Sequence, residues 1–257
     1  MDNGILIQRH DAVMEIRLDR PEKLNAVTKR MTEAIGAAVA DASSDDGVRC
    51  LLITASGRGF CAGRDLSGAT GDEDARAILA EQMNPVIAGV HACRKPTIAA
   101  VNGATMGFGL GLALACDVVY AAQSARFAVP FARLGAALDC GGHFLLRSRI
   151  SQGRALEMIY GAEAIDGQTA AAIGLADRCW PDADLQFKAM ALAQTCADGP
   201  TLAFLQQKAL LRRAETMSLD QVLEAEAELQ GELARTDDYR EGVSAFNAKR
   251  KPVFRGR

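Results

Sequence analysis

Two glycine-rich stretches hold the residues best placed to do chemistry. The first, Phe60-Cys61-Ala62-Gly63-Arg64-Asp65-Leu66, follows the apolar run Val48–Thr54; the second, Gly107-Phe108-Gly109-Leu110-Gly111, follows the apolar run Thr97–Val101. A helix that starts in such a turn offers main-chain N–H groups without internal acceptors, at the positive end of its dipole. That end suits a phosphate, a carboxylate or an oxyanion. Spacing argues against two familiar uses. No Lys-Ser or Lys-Thr pair follows the glycines as a P-loop requires, and G-x-G-x-G is not the dinucleotide pattern G-x-G-x-x-G. Close helix–strand packing through small residues is the plain alternative for either stretch alone. Together, two turns after two buried strands could each aim one N–H at a single oxygen, which stabilises charge developing on a carbonyl.

The remaining chemistry-bearing residues are sparse. Seven cysteines (50, 61, 93, 116, 140, 179 and 196) are scattered, with no CxxC pair, so neither a disulfide framework nor a zinc site is expected. Cys61 and Cys140 lack an evident neighbouring base and read as small packing residues. Three histidines, His10, His91 and His143, show no i,i+4 spacing, and no metal is expected.

The elements that must position the two turns can be read from periodicity. Gly4–Arg9 and Ala12–Leu18 alternate apolar and polar residues around His10-Asp11, as a hairpin does. Thr28 suits the N-cap of an Ala-rich helix running to about Ala42. Val48–Thr54 and Thr97–Val101 read as buried strands, with a helical stretch over 72–93 between them. A helix beginning in the second glycine turn and strands near 117–121 and 125–129 follow, and from Gly141 onward the pattern is almost wholly helical. The layout predicts one α/β domain of 257 residues with a helical C-terminal extension. Apolar residues make up 49%, charged residues 24%, and the net charge is −3. Nothing there favours nucleic acid as a ligand. No apolar run is long enough to span a bilayer, and the N-terminus lacks a leader pattern, so a cytoplasmic protein without membrane partners is expected.

Four segments in order carry a resemblance: Arg20-Pro21-Glu22-Lys23-Leu24-Asn25-Ala26, Phe60–Leu66, KPTIAAVNG at 95–103, and DYREGVSAFNAKRKPVF at 238–254. They are similar to the crotonase (enoyl-CoA hydratase/isomerase) superfamily over nearly the whole chain. The resemblance implies a spiral of ββα turns over residues 1–195 and a helical trimerisation region over 196–257. It implies an acyl-CoA thioester as substrate, with coenzyme A as part of that substrate and no permanently bound cofactor, in a homotrimer or a hexamer made of two trimers. The main-chain N–H groups of Arg64 and Phe108 become the two oxyanion donors, flanked by Ala62, Asp65, Leu66 and Gly107. Lys23, Leu24 and Ala26 resemble the loop that meets the nucleotide end of coenzyme A. Phe246 and Lys249 resemble residues that approach it, sometimes from a neighbouring subunit; a solvated surface charge is the alternative for both lysines.

The chain departs from the hydratase pattern at two positions. Hydratases of this superfamily carry one glutamate where this chain has Gly111 and another where it has Phe131. Hydration needs water oriented by paired carboxyl groups, and neither glycine nor phenylalanine supplies one. Asp139, in Leu138-Asp139-Cys140-Gly141-Gly142, offers a different carboxylate. Family members with Asp there use it as a proton carrier, and the segments around it most resemble ring-1,2-epoxyphenylacetyl-CoA isomerases. A helix N-cap before Gly141 is the alternative for Asp139. Phe131 is the candidate to line an acyl pocket. Four readings follow: an acyl-CoA isomerase, an enoyl-CoA hydratase with an atypical site, a hydrolase or dehalogenase with Asp139 as nucleophile and His91 or His143 as base, and a CoA-ester-binding protein without catalysis.

Overall fold

The computed structural model describes residues 3–257. The hairpin forms as expected, β1 (Ile5–His10) pairing antiparallel with β2 (Val13–Leu18). After a 3₁₀ turn at Pro21–Lys23, the Thr28 hydroxyl accepts from the Met31 N–H and caps α1 (Lys29–Ser44). That helix buries Met31, Ile35, Ala38, Val39 and Ala42 along one stripe.

Each following turn of the chain adds one strand to each of two sheets. β3 (Cys50–Ala55) and β4 (Gly59–Cys61) precede α2 (Ala75–Ile78), which continues through a π-helical turn at Leu79–Met83 into α3 (Asn84–Ala92). β5 (Thr97–Val101) and β6 (Ala104–Met106) precede α4 (Phe108–Leu114). β7 (Val118–Ala122) and β8 (Arg126–Ala128) precede α5 (Gly142–Arg147) and α6 (Gln152–Gly161). The larger sheet has the order β1-β2-β3-β5-β7-β10 and is parallel from β2 onward; the smaller has the order β4-β6-β8-β9. Every residue of β3 and β5 is buried, which explains why both read as unbroken apolar runs rather than alternating ones.

The region after Gly141 is less purely helical than expected. β9 (Ile165–Asp166) and β10 (Arg178–Trp180) flank α7 (Gly167–Ala172) and close one edge of each sheet. Strands of two and three residues carry too little alternation to register as a period. The helices α8 (Leu185–Asp198), α9 (Thr201–Ala214), α10 (Leu219–Leu233) and α11 (Asp237–Asn247) complete the chain. The 195/196 division falls inside α8, which packs on β3 and β5 and buries Leu185, Ala189, Ala193 and Ala197. The charged stretch from Ser218 is two helices, because Thr236 caps a new one at the Tyr239 N–H. α9 is tied to the core by Lys208, which donates to Asp117 (2.5 Å) and to the Lys95 carbonyl (2.8 Å). By contrast α10 buries no residue, and Leu219, Leu223 and Phe246 stand exposed.

Candidate active site

The two glycine turns are brought side by side by a strand pair too short to see in the sequence. β4 and β6 run parallel, with Cys61 opposite Thr105, so residues equally far beyond that pair emerge together. Arg64 and Phe108 are three residues past that pair. Between them Gly63 takes φ +101° and Gly107 φ +51°, both in the region glycine favours. A Cβ on Gly63 would lie 3.2 Å from the Met106 carbonyl oxygen, so a side chain there would press on the neighbouring turn. Gly109 lets α4 dock on β4: a Cβ there would collide with the Cys61 carbonyl.

Backbone pairing sets the direction of the Arg64 amide. Val27 donates to the Gly63 carbonyl (2.8 Å), and Asp65 donates to the Val27 carbonyl (2.9 Å). In a parallel ladder this pattern turns the N–H of the residue between, Arg64, to the opposite side. The Phe108 N–H opens α4 and precedes any intrahelical acceptor. Among the described residues, neither N–H has a protein acceptor. Both residues line one cleft of about 290 Å³ with Ala62, Leu66, Gly107, Phe131 and Asp139.

Asp139 is the one carboxyl-bearing residue among the described residues lining that cleft. It does not cap α5; Gly141 occupies the N-cap position, and Asp139 contributes its carbonyl to the Gly142 N–H (2.9 Å). Its Oδ1 is buried without a hydrogen-bond partner. Burial pushes the carboxyl above its ordinary range, partly offset by the adjacent Cys140 thiol and the Arg64 guanidinium. The turn that carries it is compact. Cys140 and Gly141 take φ +51° and +72°, and a Cβ on Gly111 would lie 2.5 Å from the Cys140 carbonyl oxygen. At Gly111, α4 is thus smooth enough for the Asp139 turn to rest on it.

Apolar side chains form the rest of the lining. Ile78, Leu79 and Met83 come from α2 and the π-helical turn; Met106, Pro130, Leu134 and Ala136 add to them. None was anticipated from the sequence. Phe131 does line the cleft, whereas Phe127 is fully buried and Phe144 is exposed. Lys23, Leu24, Ala26 and Asp65 lie beside the first turn but outside the cleft lining. Phe246 is 83% exposed, Lys249 follows the end of α11, and neither lines the cleft of the same chain. His143 is exposed; His91 meets the Phe144 ring edge-on (5.7 Å between centroids); neither hydrogen-bonds Asp139. Burial pushes the Cys61 thiol up to about 12, far from a thiolate nucleophile at neutral pH. No group of three potential metal ligands occurs among the described residues, and no helix there is long and apolar enough to cross a membrane.

Comparison with known proteins agrees with this architecture. Residues 8–257 match the family model described as enoyl-CoA hydratase/isomerase. A probable enoyl-CoA hydratase of Rhodobacter capsulatus is 41% identical, with 94% of each chain covered. The 1,2-epoxyphenylacetyl-CoA isomerase of Escherichia coli is 38% identical, with 98% of each covered. The crystal structure of an enoyl-CoA hydratase from Bacillus anthracis superposes with a TM-score of 0.94 at 28% identity, over 99% of this chain and 100% of that one. Matched over nearly its full length in both sequence and fold, the chain belongs to the enoyl-CoA hydratase/isomerase family of the crotonase superfamily.

Proposed function

We propose that the protein is an acyl-CoA isomerase that works through an enolate held by the Arg64 and Phe108 amides, with Asp139 as sole proton carrier. The observation that carries this reading is the single carboxyl group of the cleft, buried with one oxygen unpaired. The thioester oxygen accepts from both amides. Asp139 removes a proton from a carbon conjugated to the thioester, charge moves onto that oxygen, and the same carboxyl returns the proton two carbons along. Burial supports this by raising the basicity of Asp139. By precedent each amide supplies roughly 10²–10³ in rate. The apolar lining from Leu79, Met83, Phe131 and Leu134 suits an uncharged acyl group. The 38% identity to an epoxyphenylacetyl-CoA isomerase supports isomerisation, while the hydratase name of the 41% relative favours hydration as the second reading. Hydration would need a second carboxyl group beside Asp139. A homotrimer or hexamer, with Phe246 and Lys249 reaching the cofactor end of the substrate, belongs to the same proposal.

The test is product identity. A panel of enoyl-CoA and aryl-acyl-CoA thioesters is incubated in D2O and the products are weighed. An isomer that retains the CoA thioester and gains at most deuterium is expected. A product heavier by one water would establish hydration instead, and released CoA thiol would establish hydrolysis.

A further inference from the structure

The cleft explains where the Arg64 amide points, but not what keeps it there. The chain around Arg64 is a loop, without helix or extended strand to fix it. Its register depends on two main-chain bonds to Val27, and Val27 follows a second loop, residues 20–26.

Side chains join those two loops. Arg20 donates through Nη1 to the Asp65 carboxylate (2.5 Å) and to the Ala26 carbonyl (3.1 Å). Asp65 also accepts from the Ser67 N–H (2.8 Å). Asn25, wholly buried at φ +55°, completes the joint. Its Oδ1 accepts from the Arg20 N–H (2.7 Å), while its Nδ2 donates to the carbonyls of Ser56 (2.9 Å) and Gly59 (2.8 Å). Asp65 and Arg20 keep only 14% and 24% of their side chains exposed, so the pair is poorly screened. The bonded atoms flank Arg64 on both sides, through Gly59 before it and Asp65 and Ser67 after it.

We propose that Arg20 and Asp65 are positioning residues for the oxyanion site, their ion pair holding the Arg64 amide on the thioester oxygen. This rests on the enolate reading above. Neither side chain lines the cleft, so neither touches the reacting atoms. Their effect passes through the Val27 ladder. An amide turned by a fraction of an ångström polarises the carbonyl less, and misplacement of that order costs catalysis steeply.

The test uses cinnamoyl-CoA, whose absorption reports polarisation of its conjugated carbonyl, with the full-length protein and its Asp65→Asn and Arg20→Gln variants. Wild type is expected to shift the bound spectrum to longer wavelength. Each variant, at saturating protein, should lose much of that shift, and its kcat should fall about 10- to 100-fold. The double variant should be little worse than either single one, since both remove one interaction. Asp139→Asn should keep the full shift, because it leaves the Arg64 and Phe108 amides and the Val27 ladder in place. A wild-type spectrum without any shift overturns the oxyanion reading itself. A full shift with unchanged kcat in both variants leaves that reading intact and overturns the positioning role. Should the variants fail to fold, amide hydrogen exchange on the wild type decides. Val27 and Asp65 protected beside an open Arg64 amide that slows on binding cinnamoyl-CoA supports the role; an Arg64 amide already protected in the free protein overturns it.

Discussion

The Arg64 loop and the Asp139 turn face each other across one cleft, and they are held by opposite means. Hydrogen bonds and an ion pair fix the first: the Val27 ladder, Asn25 and the Arg20–Asp65 contact. Shape holds the second. Gly111 leaves room for the Cys140 main chain, and Gly142 leaves room for Leu138, whose side chain would lie 2.6 Å from a Cβ there. The Asp139 carboxylate itself keeps an unpaired oxygen. The difference suits the chemistry proposed above. A charge-stabilising amide must not move, whereas a proton carrier must keep a free oxygen and an unsolvated setting.

Breaking the turn at its carboxylate should have the largest effect. Asp139→Asn is expected to lower kcat by about 10²–10⁴ while acyl-CoA affinity stays near wild type. The same change should not lower the melting temperature. Burial raises the folded-state pKa of Asp139, so its contribution to stability is present at low pH and lost as pH rises through that value. At neutral pH the ionised carboxylate costs stability, and asparagine removes that cost. Disturbing the seat instead of the carboxylate should come next. Gly111→Ala places a methyl against the Cys140 carbonyl, and kcat should fall about 10-fold as the turn lifts. A Gly111→Ala enzyme of undiminished kcat would mean that shape does not hold the turn.

The pH profile sharpens the contrast. In wild type the acidic limb of kcat/KM should lie above the ordinary carboxylate value of about 3.9, because burial disfavours the charged form. In Gly111→Ala it should move down toward that value as solvent reaches the carboxyl. At the small end stands the Arg64–Glu73 ion pair (2.5 Å), with 28% and 36% of its side chains exposed. Glu73→Gln should leave stability close to that of wild type, read by denaturant melts, because water and salt screen an exposed pair.

Much of this was legible in the sequence, and the exceptions share a cause. The hairpin, the Thr28 cap and the buried strands were readable because each is specified by residues close together. The glycines at 63, 107 and 111 marked tight approaches, yet not what approached them. The β4–β6 pairing that aligns the two turns spans three residues on each strand, too few for a period to emerge. The π-helical turn that lends Leu79 and Met83 to the cleft looks like ordinary helix in sequence, since five residues are too few for its wider i→i+5 spacing to stand out as a period. Asp65 was expected beside the substrate from its motif. Its partner Arg20 lies 45 residues away, and only the folded chain displays the pair.

The most direct measurement is a crystal structure of the protein with a non-reactive acyl-CoA thioester, such as one with a saturated acyl chain, bound. The acyl oxygen is expected about 2.7–3.1 Å from both the Arg64 and Phe108 nitrogens, with an Asp139 oxygen facing the carbons beside it. An acyl oxygen bound elsewhere, or a cleft in which Asp139 faces away from the acyl chain, would contradict it.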